Sequence, residues 1–163
     1  MGTKERFYSA VYLIIKNENH EILLQRRCGT KLWPNYLALP AGHVDEGEDA
    51  YEAAIREAKE ELGIEIKFED LINPIVVTRK NKSLKSYYDV YFEVRSYEGE
   101  IKINEPDKCS ELVWKDINNL PEDMIQYEKV AINNYLDMIP FSTIYVDDVK
   151  ENKNNPQLKK EKK

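Results

Sequence analysis

The chain has 163 residues, with 24 Lys and Arg against 30 Asp and Glu, which gives a formal net charge of −6 at pH 7. That length suits one domain, and a hydrophobic content of 42% is enough for a sizeable core. The negative charge argues against a protein that coats nucleic acid, because such proteins usually present a basic surface; no stable nucleic-acid partner is expected.

The sequence also argues against a membrane or secreted protein. No apolar run approaches the roughly 20 residues needed to span a bilayer, and residues 1–6 lack the apolar stretch of a signal peptide. Cys28 and Cys109 stand far apart with no neighbouring His cluster, which is typical of unpaired thiols in a reducing compartment. We therefore expect a cytoplasmic protein with no membrane contact.

The first third of the chain predicts strands. Residues 7–16 are rich in Tyr, Val and Ile, and residues 21–27 form a second such run. Polar residues 17–19 indicate a turn between them, so the two strands are expected to form a hairpin. A short apolar piece at 37–39 then enters a turn at 40–42.

The periodicity changes at Asp49, where small and apolar residues begin to recur at helical spacing up to a capping Gly63. This pattern predicts a helix over 49–62. Farther on, the patterns predict strands at 64–68, 75–78, 87–95 and 110–115 and a second helix over 122–138. Strands that flank two helices predict an α/β or α+β sandwich.

The predicted domain covers residues 1–146. Residues 147–163 consist largely of Lys, Asn, Asp and Glu, a composition that cannot bury a core. We therefore expect a disordered tail after residue 146.

Most of the excess acid lies in residues 45–61, which hold eight carboxylates and two basic side chains. Glu57, Glu60 and Glu61 share one helix face near the C-terminus, where neighbouring like charges and the helix dipole both disfavour them. A hard divalent cation such as Mg²⁺, which takes oxygen ligands, would relieve this repulsion. The charge pattern alone is equally compatible with a solvated face on which Arg56 pairs with nearby acids.

The spacing of these residues is more specific than their charge. From Gly42 the chain continues with five residues, Glu48, seven residues and the run Arg56-Glu57-Ala58-Lys59-Glu60-Glu61-Leu62-Gly63-Ile64. This matches the signature G-x5-E-x7-R-E-U-x-E-E-x-G-U, where U is bulky or aliphatic and Ala58 is small for its position. The chain therefore resembles the Nudix hydrolases over about residues 5–140, and within them the small nucleotide-hydrolysing members of the MutT type.

The resemblance implies a fold and a metal site. The fold is an α/β/α sandwich with a mixed sheet between helices, and the cofactor is Mg²⁺, or Mn²⁺. Glu57 and Glu61 match positions that ligate the metal, and Glu60 matches a third ligand or a residue that orients water. The carbonyl of Ala41 stands where the family often supplies a backbone ligand. Gly42, Glu48, Arg56 and Gly63 match positions that hold the loop and helix in register.

The resemblance also implies which residues act on a substrate. Glu57, Glu60 and Glu105 are candidates for accepting the proton of the attacking water, although Glu105 also fits an exposed loop acid. Arg27 and His43 match positions near substrate phosphates, but the end of a strand and a structural histidine explain them as simply. Tyr87 and Asp89 share a strand face that would bind a purine, although aromatic residues at this spacing more often pack in a core.

The function implied is metal-dependent cleavage of a nucleoside triphosphate, or of another nucleoside diphosphate linked to a group X, to a monophosphate and pyrophosphate. Alternatives are hydrolysis of ADP-ribose, a nucleotide sugar or a pterin triphosphate. A catalytically silent nucleotide-binding module is the alternative outside the enzymes, but such modules usually lose glutamates that are all present here. The expected partner is a small nucleotide-like substrate, and the expected state is a monomer or homodimer.

Overall fold

The computed structural model describes residues 2–82 and 85–146. The tail expected over 147–163 lies outside the described residues. In chain order the elements are β1 Phe7–Ile14, β2 Glu21–Arg27, β3 Leu37–Ala38, β4 Ala41–His43, α1 Ala50–Leu62, a 3₁₀ turn Phe68–Asp70, β5 Leu71–Asn81, β6 Ser86–Val94, β7 Cys109–Asp116, α2 Gln126–Leu136 and β8 Phe141–Val146.

The strands form two sheets. The larger is mixed, with the order β4-β1-β6-β5-β8, and the smaller is antiparallel, with the order β3-β2-β7. In the larger sheet, β1 runs parallel to β6 and β5 runs parallel to β8, while the other pairs are antiparallel.

The two helices cover opposite faces of the larger sheet. Along β6 the side chains alternate, so that Phe92 packs in one apolar cluster with Ala58 of α1, whereas Tyr91 packs in a second cluster with Ala131 of α2. The arrangement is the α/β/α sandwich with a mixed sheet that the sequence predicted. No helix among residues 2–82 and 85–146 has both the length and the apolar character needed to span a membrane.

The predicted hairpin of β1 and β2 is wrong. The two strands meet only around the bridge between Lys16 and Ile22 and then diverge into different sheets. β1 pairs along its whole length with β6, and β2 pairs with β7. The turn predicted between them is present, but a local pattern does not determine which distant strand each edge will pair with.

Several other elements differ from the sequence prediction. A turn was expected over 40–42 where the structure has β4, and the strand expected over 75–78 extends over Leu71–Asn81. Residues 64–68 make a cap, an isolated bridge from Glu65 to Glu98 and the start of a 3₁₀ turn instead of a strand. The second helix begins at Gln126 because the backbone before it bonds to Leu37, which donates to the carbonyl of Asp123 and accepts from the N–H of Ile125. β8 was not predicted.

Candidate active site

The ends of α1 are fixed by its own sequence. Asp49 caps the N-terminus in a reciprocal arrangement with Glu52, since each side chain accepts from the other's backbone N–H. At the other end Gly63 adopts φ 70° and donates to the carbonyl of Lys59, and the N–H of Ile64 reaches the carbonyl of Ala58. Both ends were predicted correctly.

The rotation of α1 about its axis places the acids beside β4. The buried stripe of the helix consists of small residues and one leucine, namely Ala53, Ala54, Ala58 and Leu62. Glu57 and Glu61 lie one turn apart at the margin of this stripe. A Cβ added to Gly42 would lie 2.1 Å from Cδ of Glu57, so the backbone of β4 and this carboxylate are in close contact.

Glu61 is held by Ala41, the residue before Gly42 in β4. Its Oε1 accepts from the N–H of Ala41 at 3.0 Å. Two backbone bonds on either side of β4 join it to β1. The N–H of Leu13 donates to the carbonyl of Pro40, and the N–H of Val44 donates to the carbonyl of Ser9, each at 2.9 Å. Since alternate residues of a strand bond to the same neighbour, Ala41 does not bond to β1. The carbonyl of Ala41 therefore points away from β1, to the side on which Glu61 lies.

Arg56 ties the loop before α1 to the helix. Its guanidinium donates to both oxygens of Glu48 at 2.6 and 2.9 Å and to the carbonyl of His43 at 2.9 Å. It also donates to Glu57 at 2.7 Å and to Glu60 at 3.2 Å. The bonds from Arg56 lower the pKa of Glu48 to about 2. These bonds are compatible with the supporting role that the resemblance implied for Glu48 and Arg56, and that role stays a prediction.

Burial and the charges of neighbouring acids raise the pKa of both Glu57 and Glu61. Burial is the main cause for Glu57, with Glu60 and Glu105 adding to it against the effect of Arg56. Burial is also the main cause for Glu61, whose pKa lies well above its ordinary value, followed by the charge of Glu57. Because Glu105 contributes to both shifts, it faces the same cluster.

The loop that carries Glu105 is anchored on the end of α1. The backbone N–H of Asn104 donates to the carbonyl of Glu61, and its side chain donates to the carbonyl of Glu60, each at 3.0 Å. The backbone N–H of Lys102 donates to the carbonyl of Leu62 at 3.1 Å. These bonds satisfy carbonyls that a helix end leaves free and bring Glu105 beside the acids of α1.

The donor set fits a hard divalent cation. Among the described residues, no three or more His, Cys, Asp or Glu side chains are arranged so that they alone could hold a metal ion. Mg²⁺ does not require one, because it keeps several waters and takes one or two carboxylates together with substrate phosphates. Glu57, Glu61 and the carbonyl of Ala41 supply oxygens of this kind.

A cavity of about 820 Å³ opens over these acids. Nine of the residues proposed from the sequence line it: Arg27, Ala41, Gly42, His43, Glu57, Glu60, Glu61, Tyr87 and Glu105. Nε2 of His43 lies 2.9 Å from the hydroxyl of Tyr87, so these two form one part of the wall. Glu48, Arg56 and Gly63 lie outside the lining.

Asp89 does not reach the cavity. Its side chain is fully buried and accepts from Arg79 at 2.7 and 3.3 Å, so the direct substrate contact expected of Asp89 is not supported. Arg79 lines the cavity in its place, with its guanidinium carbon 4.1 Å from the ring centroid of Tyr87 and 4.3 Å from that of Tyr127. The pattern of β6 did not predict that a cation would lie between the acid and the cavity.

Sequence reasoning also missed the lining contributed by α2. Tyr127 and Glu128 border the cavity from the first turn of α2, near Tyr12 and Leu39. Glu128 is 2% exposed, and its Oε1 accepts from the N–H of Leu39 at 2.7 Å. The sequence around Glu128, with Gln126 and Lys129 close by, resembles an exposed helix face and gives no signal of this burial.

Comparisons with known proteins show the family and the fold of this chain. The NUDIX domain model matches residues 6–135. An ADP-ribose pyrophosphatase of Methanocaldococcus jannaschii is 31% identical over 128 residues, covering 78% of this chain and 72% of the relative. An 8-oxo-dGTP diphosphatase of Escherichia coli is 29% identical over 110 residues, covering 66% of this chain and 83% of the relative. The crystal structure of a MutT NUDIX hydrolase from Burkholderia pseudomallei aligns with a TM-score of 0.68 at 25% identity, covering 79% of this chain and 98% of that one.

Proposed function

The chain belongs to the Nudix family and is a pyrophosphohydrolase, and we propose that it cleaves a nucleoside triphosphate to a nucleoside monophosphate and pyrophosphate. The observation that carries this proposal is the pair of partly buried carboxylates, Glu57 and Glu61, set against the β4 backbone at the edge of a cavity that also holds cationic side chains. Acids and cations at one cavity suit a substrate that is itself polyanionic and arrives with a divalent cation.

Glu57, Glu61 and the carbonyl of Ala41 are the proposed holders of Mg²⁺ or Mn²⁺, with Glu60 at the exposed side of the cluster. Such an ion, when bound, neutralises phosphate charge and lowers the pKa of water. Arg56 keeps Glu57 in place through its bond at 2.7 Å.

We assign Glu105 the role of accepting the proton from the attacking water. Glu105 faces Glu57 and Glu61 but does not contact the β4 backbone as they do. Its carboxylate pairs only loosely with Lys108, since the two charged groups are 3.9 Å apart. Glu57 is the other candidate from the sequence, but its contact with Gly42 and its bond to Arg56 suit a fixed ligand. Glu105→Gln should therefore lower kcat with little change in metal affinity, whereas Glu57→Gln should weaken metal binding.

The remaining lining suits the other parts of a nucleotide. Arg27, His43 and Lys108 are positioned for phosphate oxygens, and guanidinium groups in particular pair well with phosphate. Tyr87, Tyr127 and Trp33 present aromatic rings on which a base would stack.

A second candidate substrate is ADP-ribose. The relative from Methanocaldococcus jannaschii is named an ADP-ribose pyrophosphatase, and it is 31% identical to this chain. The same acids would serve both reactions, because each cleaves a phosphoanhydride.

A substrate panel tests the proposal. The protein is incubated with nucleoside triphosphates, ADP-ribose and nucleotide sugars, with Mg²⁺ or with EDTA, and the products are identified by ion-exchange chromatography. We expect Mg²⁺-dependent release of monophosphate and pyrophosphate from a triphosphate. Turnover of ADP-ribose alone would select the second candidate, and no metal-dependent product from any compound would refute both.

Three broader expectations stay predictions: a cytoplasmic location, no stable nucleic-acid partner, and a monomeric or homodimeric state. Fractionation of cells and light scattering of the purified protein check the first and the last of these.

A further inference from the structure

β8 is the last strand of the larger sheet, and its outer edge pairs with no strand among residues 2–82 and 85–146. On its inner side it runs parallel to β5 from Phe141 to Val146. An open edge presents unpaired backbone N–H and C=O groups, which can bind another strand. The outer edge of β8 is therefore a candidate surface for association.

The register of β8 on β5 identifies which backbone groups are free. Val76 is the partner of Phe141, and its N–H donates to the carbonyl of Pro140 at 2.9 Å. In a parallel ladder such a residue bonds to the two residues that flank its partner, so Pro140 and Ser142 turn toward β5. Alternation along β8 then directs the backbone groups of every second residue to the open edge, namely those of Phe141, Thr143 and Tyr145.

The side chains of the same three residues are exposed. Phe141 is 59% exposed and Tyr145 is 81% exposed. Ile144 and Val146, which alternate with them, pack instead in the apolar cluster beneath α2. The open edge of β8 is thus bordered by two large aromatic rings that nothing in the described part of the chain covers.

β8 also lacks the features that usually protect a sheet edge. Natural edge strands are commonly very short or carry charged side chains. β3 and β4, at two other edges, have two and three residues, and β7, at the remaining edge, contains several charged residues. Residues 141–146 of β8 include no charged side chain and no proline. This edge is therefore suited to pairing.

A second copy of β8, placed antiparallel, matches this edge. When Thr143 lies opposite Thr143 of the second copy, Phe141 lies opposite Tyr145 on both sides of the axis. All three outward residues then belong to facing pairs, and each such pair exchanges both of its N–H···O bonds. A shift of two residues in either direction loses one of these pairs. The register that satisfies the most backbone groups also sets the aromatic rings side by side, and such cross-strand pairs stabilise a sheet.

We propose that β8 is a dimerisation edge, through which two copies of this chain pair antiparallel about a twofold axis at Thr143. The two larger sheets then form one continuous sheet. A second copy fits this edge because its own outward groups and aromatic rings repeat in the order that the edge requires. The pairing uses the same surface on both copies, so assembly stops at two.

The exposed aromatic surface suits a dimer of moderate strength. With roughly 200 Å² for each aromatic side chain, the exposed fractions of Phe141 and Tyr145 leave roughly 560 Å² of ring surface open over two copies. A specific interface needs about 1,000 Å² in total, and the paired strands add their own area to that of the rings. We therefore expect a dimer that forms at micromolar concentrations and dissociates on dilution.

The dimer leaves the proposed active site open. β4, which carries Ala41 and Gly42, forms the opposite edge of the same sheet, and β1, β6 and β5 lie between β4 and β8. The dimer and the proposed hydrolysis therefore do not depend on each other, and either can fail alone.

Sedimentation velocity of the full chain over a series of micromolar concentrations tests the proposal. Thr143→Pro removes the outward N–H at the axis and keeps every N–H of β8 that faces β5. The double variant Phe141→Lys, Tyr145→Lys sets like charges opposite each other across the axis. The double variant Phe141→Lys, Tyr145→Glu changes the same two positions but sets opposite charges there. Phe68→Lys is the matched control, because Phe68 is also 59% exposed but lies outside β8.

The wild type and Phe68→Lys should approach twice the mass of the chain as the concentration rises. Thr143→Pro and the double lysine variant should each weaken the dimer by at least about tenfold. The lysine–glutamate variant should dimerise about tenfold more tightly than the double lysine variant, because its charges pair across the axis. Circular dichroism checks that every variant is folded.

A wild type that stays monomeric over the whole range would leave the edge to some other chain and overturn the proposal. A dimer that Thr143→Pro and the double lysine variant leave intact would do the same, because it would use another surface. Equal dissociation constants for the two double variants would contradict the antiparallel register, and growth beyond two copies would contradict the closed pairing. If Thr143→Pro fails to fold, the two double variants decide. Loss of nucleotide hydrolysis with the dimer intact would count against the proposed function alone.

Discussion

Gly42 is the residue at which the smallest change should displace the proposed metal site. A methyl group at this position would lie 2.1 Å from Cδ of Glu57, so Gly42→Ala must move either the carboxylate or β4. A displacement of about 1 Å at a catalytic group costs on the order of a hundredfold in rate. We expect that loss in kcat/KM for the best substrate, with the circular dichroism spectrum unchanged.

Gly47→Ala is the matched control for Gly42→Ala. Gly47 has φ 85° and no atom within 4 Å of an added Cβ, so this substitution strains the backbone without meeting Glu57. It should cost about 1 kcal/mol of stability and leave the rate per folded molecule near the wild-type value. Equal losses of rate in the two variants would show that the contact with Glu57 is not what matters at Gly42.

The pair of Arg79 and Asp89 should be essential for folding. Both side chains are almost entirely buried and bonded at 2.7 Å, so Asp89→Asn leaves an unpaired buried cation. We expect the free energy of unfolding, measured by urea denaturation, to fall by about 3 to 5 kcal/mol. The double variant Arg79→Met, Asp89→Leu should lose less than the sum of the two single changes. Additive losses would contradict a direct coupling.

Arg79 and Glu128 also show what sequence reasoning misses at this scale. Each stands beside a lysine in the sequence, like many exposed charged residues, and its importance depends on a partner in another element. That partner is the side chain of Asp89 for Arg79 and the backbone N–H of Leu39 for Glu128. Glu57 and Glu61 were identifiable because their spacing follows from one helix. The sequence therefore predicts the acid cluster better than the rest of the cavity.

At the scale of elements, the bond between Arg56 and Glu48 joins α1 to the loop between β4 and α1. The folded-state pKa of Glu48 is about 2 against an ordinary 4.5, so this interaction stabilises the protein above pH 4.5 and is lost as the pH falls toward 2. Glu48→Gln should lower the free energy of unfolding by about 1 to 3 kcal/mol at pH 7. Its stability should also depend less on pH between 4.5 and 2, as measured by urea denaturation.

Glu65→Gln provides the control for Glu48→Gln. Glu65 is exposed and lies 3.6 Å from Lys59, which is also exposed, so its removal should change stability by less than about 1 kcal/mol. A pH dependence that is identical in Glu48→Gln and the wild type would contradict the role given to Arg56.

An element is predicted correctly when the residues that determine it lie within its own segment of the sequence. The helix predicted over 49–62 agrees with α1 because Asp49, Gly63 and the apolar stripe all lie within the segment. The hairpin failed because β1 and β2 each have a distant partner with which to bury their apolar faces. Its local turn was compatible with either pairing.

At the scale of the molecule, the site lies where the two sheets and both helices meet. The backbone from Leu39 to Ala41 crosses from the smaller sheet to the larger one. Its N–H groups donate to one carboxylate from each helix: Leu39 donates to Glu128 of α2, and Ala41 donates to Glu61 of α1. The acidity of the chain is concentrated in residues 45–61. This local charge lets an acidic protein bind a polyanion, provided that divalent cations lie between them.

The domain boundary proposed at residue 146 rests on the change of composition after it, and residues up to Val146 belong to β8, which pairs with β5. A chain truncated after residue 146 should keep its melting temperature within a few degrees and its kcat/KM within about twofold, because residues 147–163 consist largely of charged and polar side chains that would bury little apolar surface. Thermal denaturation and the hydrolysis assay measure both. A loss of folding or activity on truncation would assign residues 147–163 to the domain.

The most direct test of the central claim is Mn²⁺ binding followed by electron paramagnetic resonance. The wild type should bind Mn²⁺ in competition with Mg²⁺, and Glu57→Gln and Glu61→Gln should each weaken that binding by at least about tenfold. Glu98→Gln, on the exposed surface, should bind as the wild type does. Equal affinity in all four proteins would contradict the assignment of Glu57 and Glu61 as the metal ligands of this hydrolase.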